Sequence, residues 1–258
     1  MKKSLKLLAV GGMLLPCALV FTACGGNGQF SDAQVDTKGT YTETTSTEVS
    51  SFVSNQNFNA DFSSANGYKM SYSVTMTGSL QGLSFDGVVI CTLDDDGDIN
   101  GLAMKGNYIV NTGAYEAETK LEAYAPNDGF FYVDTSVGGQ QVKYKVEVDS
   151  FDDAMERFAV EEFDFEGFFE ASIGDSGVTI KQAIDGDLTK YEITSNEHLE
   201  GYEDVKSYLV FDEFNLVGAT FEGSMATSEM SMDYNIQAQS YEKSISYPSF
   251  DGYTLFNN

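Results

Sequence analysis

From Tyr68 onward, apolar and polar residues take turns along the chain. Tyr68, Met70, Tyr72, Val74 and Met76 stand at every second position, separated by Lys69, Ser71, Ser73 and Thr75. A period of two predicts a strand with one buried face. The same pattern predicts strands at residues 83–93, 101–110, 114–123, 129–135 and 140–148. Turn-forming residues punctuate them: Gly78 to Gly82, Asp94 to Asp98, Asn111 to Gly113, Pro126 to Gly129, and Gly138-Gly139. None of these gaps is long enough for the crossover that parallel strands need, so the run predicts an antiparallel meander.

The alternation breaks at Asp149. Ser150 suits a helix N-cap, and Asp152 and Asp153 fall in the first turn, where the helix dipole favours anions. Phe151, Met155 and Phe158 then share one helical face, and an acidic, aromatic stretch follows to Phe169. One or two short helices are expected in an insert over residues 150–171. Strands resume at 177–184, 188–194, 207–211, 216–221, 230–238 and 244–247. The fold class expected is mainly β (α+β), with a second meander after the helical interruption.

Before Tyr68 the chain has a different character. Lys2, Lys3 and Lys6 precede an uncharged stretch from Leu7 to Phe21. As a helix it would be ~22 Å long, short of the ~30 Å hydrocarbon core of a bilayer. That length suits the core of a secretory leader, the alternative being a retained N-terminal membrane helix. The stretch ends in Phe21-Thr22-Ala23-Cys24-Gly25-Gly26, which resembles the lipobox of bacterial lipoproteins. The resemblance implies cleavage after residue 23 and a diacylglycerol on the Cys24 sulfur. It places the protein outside the cytoplasm, on the cell surface or the periplasmic face of a membrane. Two or three acyl chains, at ~0.8 kcal/mol per buried CH₂, make a durable anchor.

Residues 25–66 are rich in Ser, Thr, Asn and Gly without a sustained apolar period. They read as a flexible tether with a root-mean-square span of ~35 Å. The alternative is an edge strand at residues 39–53, where Thr, Tyr and Val favour extended chain. The division expected is thus a leader at 1–23, a lipidated tether at 24–66 and a β domain at 67–258.

Charge narrows the choice of partners. The chain has 40 acidic and 14 basic residues, a net charge of −26. Removing the three leader lysines leaves 11 bases and a balance of −29. Such a chain lacks a phosphate-neutralising patch, which excludes nucleic acid, and it is repelled by an anionic bilayer surface. Anchoring must then act through hydrocarbon, and the domain is expected as a monomer.

Little points to catalysis. There is one histidine, His198, and one arginine, Arg157, and no nucleophile elbow, zinc motif or phosphate loop. Paired carboxylates occur everywhere in so acidic a chain, so the reading is non-enzymatic and without a cofactor. Cys91 lies in Val88-Val89-Ile90-Cys91-Thr92-Leu93 and reads as a small buried hydrophobe. Asp96, Asp98 and Asn100 match the opening ligands of a calcium loop, but Asn107 stands where a bidentate carboxylate belongs. A hairpin tip is the plainer account.

The methionines and the aromatic insert offer more. Met70, Met76, Met104, Met230 and Met232 all sit on expected strands, where they serve either as ordinary core or as an adaptable apolar surface. The aromatic insert is either plain core or a lid over an apolar cavity. A lipobox cysteine, a polar stretch, a long meander, a helical interruption and a second meander ending near Tyr247-Pro248 together resemble the LolA/LolB/LppX-like lipoprotein superfamily. The closing Ile245-Ser246-Tyr247-Pro248 is similar to that group's final strand. The resemblance implies a strongly curved half-barrel, one or two covering helices, and an apolar cavity for lipid or acyl chains.

Periodicity then nominates the residues facing that cavity. They are Met70, Met76 and Met104; Phe151, Met155, Phe158, Phe163, Phe165, Phe168 and Phe169; and Met230, Met232 and Tyr234. The expected function is a membrane-anchored lipoprotein binding a lipid or other apolar ligand. The alternative is a structural or protein-binding module that presents acidic loops.

Overall fold

A computed structural model of the chain describes residues 8–10, 28–55, 57–78, 82–112, 116–137, 140–149, 160–162, 165–175, 177–195, 202–227 and 230–256. The protein is mostly β: one curved, unclosed sheet of thirteen strands, antiparallel but for one edge pair, with two short helices among the described residues. The first meander is β3 (Gly67–Gly78), β4 (Gly82–Leu93), β5 (Ile99–Asn111), β6 (Glu116–Ala125), β7 (Phe130–Val137) and β8 (Gln140–Glu147). The second is β10 (Val178–Asp185), β11 (Leu188–Ser195), β12 (Glu203–Asp212), β13 (Asn215–Ala226) and β14 (Met230–Ser240). Strand β14 returns to pair with β3, so the two meanders fuse into one sheet.

Register settles which residues share a face. One row runs Tyr191, Leu209, Ala219, Ala238, Met70, Val89, Met104, Ala123, Val133 and Tyr144 across neighbouring strands. Nearly all of it is buried in one core cluster together with both helices, and this is the inner face. Helix α1 (Ser46–Val53) and helix α2 (Phe165–Gly174) pack there. Thr45 caps α1, accepting from the Glu48 N–H at 3.2 Å while its own N–H donates to Glu48 Oε2 at 2.8 Å.

The outer face is covered as well. Residues 28–41 are not a free tether but a strap across β3, β14, β13, β12 and β11, with Ala33 only 1% exposed. The Ala33 N–H donates to Ser71 Oγ at 2.6 Å, the Gln34 N–H donates to Gln239, and Lys190 is buried beneath the strap against Asp36. The strap rounds the sheet edge as β2 (Thr42–Glu43), paired to β10, and continues inside as α1. Only this dipeptide of the alternative edge strand at 39–53 pairs as a strand. Residues 57–66 return along the inner side, with Ala60 and Phe62 buried in the core. Tertiary contact, rather than any local period, orders this polar stretch.

The C-terminal segment mirrors the strap. The strand expected at residues 244–247 is absent; the chain from Tyr241 to Phe250 crosses the outer face as an irregular tail over Val88, Ile90, Ala103, Tyr124 and Tyr132. It ends in β15 (Thr254–Leu255), which pairs in parallel with β8. Of the helical insert, residues 150–159, 163 and 164 lie outside the described residues. Val160–Glu162 is a short strand, β9, paired with β1 (Leu8–Val10), and among the described residues of the insert Phe165–Gly174 is the helical part.

Candidate functional site: the inner face of the sheet

Charge is distributed unequally between the two faces. On the eleven long strands, every Lys, Asp and Glu with a register partner stands at an outer-face position, from Lys69 and Asp86 through Lys105, Glu122, Asp134 and Lys145 to Lys190, Glu222 and Asp233; the exception, without a register partner, is Asp204, exposed in the β12 bulge. Inner positions carry Val, Ile, Leu, Met, Phe, Tyr, Ala, Gly and Cys91, with a few Ser, Thr and Gln. In a chain with 40 acids this leaves the sheet floor of the trough uncharged. An ion placed there would meet no partner and a high desolvation cost.

The trough has a filled half and a less filled half. Over β10 to β13, rings close the space between helices and sheet. Phe52 meets Tyr191 at 5.4 Å and Phe211 at 5.2 Å; Phe169 meets Tyr191 at 5.5 Å; Phe168 meets Phe221 edge-on at 5.4 Å. Phe165, Phe168 and Phe169 are 3%, 5% and 0% exposed, so these expected lid residues are packed core. Met70 and Met104, at 0% and 4%, are core too.

Toward the far ends of β3 to β6, β13 and β14, burial decreases while the chemistry stays apolar. Met225, Met232, Met76, Leu83, Val110 and Ala117 form one register row over six adjacent strands, and all six are only partly buried. Five strand spacings make that row ~24 Å long. Behind it lies the row Tyr234, Val74, Phe85, Tyr108 and Thr119, in which only Phe85 is fully buried. Phe85 stacks on Tyr108 with ring centres 4.0 Å apart and meets Tyr72 at 4.8 Å. Gly106 makes room for it: a Cβ there would lie 2.9 Å from the Phe85 ring and 2.8 Å from the Asp86 carbonyl oxygen.

The polar atoms of the trough are of the weak kind. Tyr234 Oη donates to the Met232 thioether at 3.3 Å, and Tyr72 Oη donates to Met104 Sδ at 3.6 Å. Burial pushes the Tyr108 hydroxyl up to about 12 and raises that of Tyr144. It raises Tyr72 too, with Tyr108 adding to the effect. These shifts are what an apolar, poorly hydrated surface produces.

The nominated residues therefore divide. Met76, Met232 and Tyr234 lie together on the part-exposed rows, and Met230 lies beside them, opposite Gly78. Met70, Met104, Phe165, Phe168 and Phe169 belong to the solid core. Cys24, Phe151, Met155, Phe158 and Phe163 lie outside the described residues. Sequence reading missed Met225, Leu83, Val110, Tyr108 and Val74 as site residues. The signal for Met225 was present: Phe221, Gly223 and Met225 continue the alternation beyond the expected strand end at 221.

The calcium-like residues lie on the β4–β5 hairpin. Asp94 Oδ1 accepts the N–H groups of Asp96 and Asp98, both at 3.0 Å, and Gly97 adopts φ +81°, a closed hairpin tip. Asn100 Oδ1 instead accepts from Thr92 Oγ1 at 2.7 Å, across the hairpin. Among the described residues no group of three His, Cys, Asp or Glu is placed to hold a metal ion. Cys91 is fully buried, its thiol pushed up to about 12 by desolvation, as befits a small core residue. No protein-family model and no curated protein matches the chain.

Proposed function

We propose that the chain is a membrane-anchored, extracytoplasmic lipoprotein, lipidated at Cys24 and non-enzymatic, whose domain holds a lipid or other apolar ligand against the part-exposed half of the trough. One observation carries the reading. A sheet from an acidic protein keeps its register-paired charges off its inner face, including along the part-exposed Met225–Ala117 row, which the described helices do not fill. A bilayer core of ~30 Å accommodates two chain lengths, so a ~24 Å row is ample for one extended acyl chain. Methionines suit such a ligand because an unbranched thioether repacks around variable shapes. A curved, unclosed sheet with helices on its inner face is also the architecture implied by the LolA/LolB/LppX-like resemblance, and so lends it support.

Native mass spectrometry of the full chain, purified from membranes in mild detergent, is expected to show co-purified lipid that Met232→Asp loses. Equal lipid content in the two proteins, or none in either, would remove the reading. Radiolabelled palmitate is expected in the wild type and not in Cys24→Ala. A second reading, a protein-binding module without a ligand, draws on the solid ring packing under α2. It predicts a partner complex that weakens steeply with salt.

A further inference from the structure

Very little chain separates the proposed anchor from the folded body. Gly28 opens a single 3-10 turn, Gly28–Phe30, already seated on the outer face. The Gln29 side-chain amide donates to the Ser246 carbonyl at 3.0 Å and accepts the Ser246 N–H at 2.9 Å. The Phe30 ring meets Tyr124 at 6.3 Å, and the Lys105 ammonium lies 5.9 Å from its centre. From Cys24 to Gly28 there are four residue steps, at most ~14 Å of fully extended chain.

The surface around this point has a distinct composition. Phe30, Phe130, Tyr247, Phe250 and Tyr253 are part-buried there, packed over the small outer core. Lys145 lies 3.9 Å from the Phe130 ring centre and Lys143 lies 5.5 Å from that of Tyr253. Rings with a polar edge beside snorkelling lysines are the side chains that settle at the boundary between headgroups and water.

We propose that this aromatic patch rests on the headgroup layer of the membrane holding the Cys24 lipid, so that the inner trough opens away from that membrane. The inference rests on the lipidation reading. Net charge alone would repel the domain from an anionic surface. A covalent leash of ~14 Å overrides this by fixing the patch at a high effective concentration beside the bilayer. A ligand in the trough would then be offered outward, away from the anchoring leaflet.

The test uses the full lipidated chain in phosphatidylcholine vesicles. Cys91 is buried, so a fluorescent thiol probe is directed to an introduced Ser249→Cys on the outer tail or Ser50→Cys on the exposed side of α1. A water-soluble quencher is expected to act several-fold less on the Ser249 probe than on the Ser50 probe. Equal quenching of the two, with the protein still floating with the vesicles, would overturn the docking while leaving the anchor intact. Failure of the wild type to float or to take up palmitate would remove the anchor and the docking together. Inserting about twenty Gly/Ser residues between Asn27 and Gly28 adds ~25 Å of reach and is expected to abolish the difference. A Ser249 probe still protected after that insertion would refute the claim that the short leash sets the contact.

Discussion

Lys190 offers the sharpest test of the strap. Its side chain is 0% exposed, with Nζ donating to Asp36 Oδ2 at 2.9 Å, Asp185 Oδ2 at 3.1 Å and the Lys38 carbonyl at 2.8 Å. Lys190→Met keeps the stem and deletes the ammonium. Hydrogen bonds to a charged group are worth ~1.5–3 kcal/mol each. The abandoned Asp36 and Asp185 side chains, however, are 56% and 61% exposed, so they rehydrate and their Coulomb contribution is already screened. The net loss is ~2–3 kcal/mol, below the ~3–5 expected where an orphaned charge stays buried. At tenfold per 1.4 kcal/mol, opening of the strap should rise roughly 30–140-fold. Trypsin cleavage after the exposed Lys38 reads that opening directly, and the thermal midpoint should fall ~5–10 °C. Lys181→Met is the control, since its ion pair with Glu192 is 36% exposed on the lysine side and should change stability by less than ~0.5 kcal/mol. Unchanged cleavage at Lys38 in Lys190→Met would refute the account of the strap as held by a buried clasp. The sign with pH runs at both ends. Burial pulls the Lys190 ammonium down, but its hydrogen bonds to Asp36 and Asp185 more than offset this and raise it; its contribution is complete below the ordinary lysine range and fades as pH climbs through the folded value. Asp36, lowered by its hydrogen bond to Lys190, acts above the ordinary aspartate range and fades as pH falls through its folded value.

Three further outcomes test the trough. Gly106→Ala places a methyl 2.9 Å from the Phe85 ring and 2.8 Å from backbone, and should cost ~1–3 kcal/mol in urea denaturation; a neutral result would show that the ring contact is loose. Met76→Asp, on the part-exposed row, should cut binding of a fluorescent acyl probe at least tenfold while moving the thermal midpoint only a few degrees, whereas Met70→Asp in the core should prevent folding. Tyrosinate absorbance should show Tyr108 resisting ionisation until about pH 12. Its neutral form is the one the fold favours, so stability is complete below the ordinary tyrosine value of ~10 and is lost as pH rises toward 12. Full ionisation of every tyrosine near pH 10 without unfolding would contradict that burial.

The strands were legible because two-residue alternation is a local signal, and it marked β3 to β8 within a few residues at each end. Where the structure departs from expectation, the deciding contacts are distant in sequence. Ala33 is buried because Ser71 and Gln239 hold its strap in place, yet its neighbours are polar and no period announces it. Two local signals did exist. Thr45-Ser46-Thr47-Glu48 is a capping box before an apolar turn, and it announces α1 inside the presumed tether. Val88-Val89-Ile90-Cys91 is apolar on both faces, which requires something to cover the outer one; the tail residue Ile245 is part of that cover. Legibility of the site was poorer for a physical reason. Alternation assigns a residue to the inner face but not to a depth within it, so Met70 and Met76 look alike although only Met70 lies under the helices' core.

The straps also explain how a thirteen-strand sheet remains open. Unpaired edge groups invite association with other chains, and closure into a barrel is the usual remedy. Here each end of the chain crosses the outer face in opposite directions and finishes on a different edge, β2 on β10 and β15 on β8. Each cap is only two residues long, too short to form an independent strand, so it depends on the strap leading into it. Loss of the Lys190 clasp should therefore expose the β10 edge as well as the outer face. Edge protection, outer-face burial and placement of α1 in the trough become one cooperative unit. That coupling accounts for a largely polar N-terminal segment being ordered: beyond the core it supplies through Val49, Phe52, Ala60 and Phe62, the sheet without it would lose an edge, a face and a helix together.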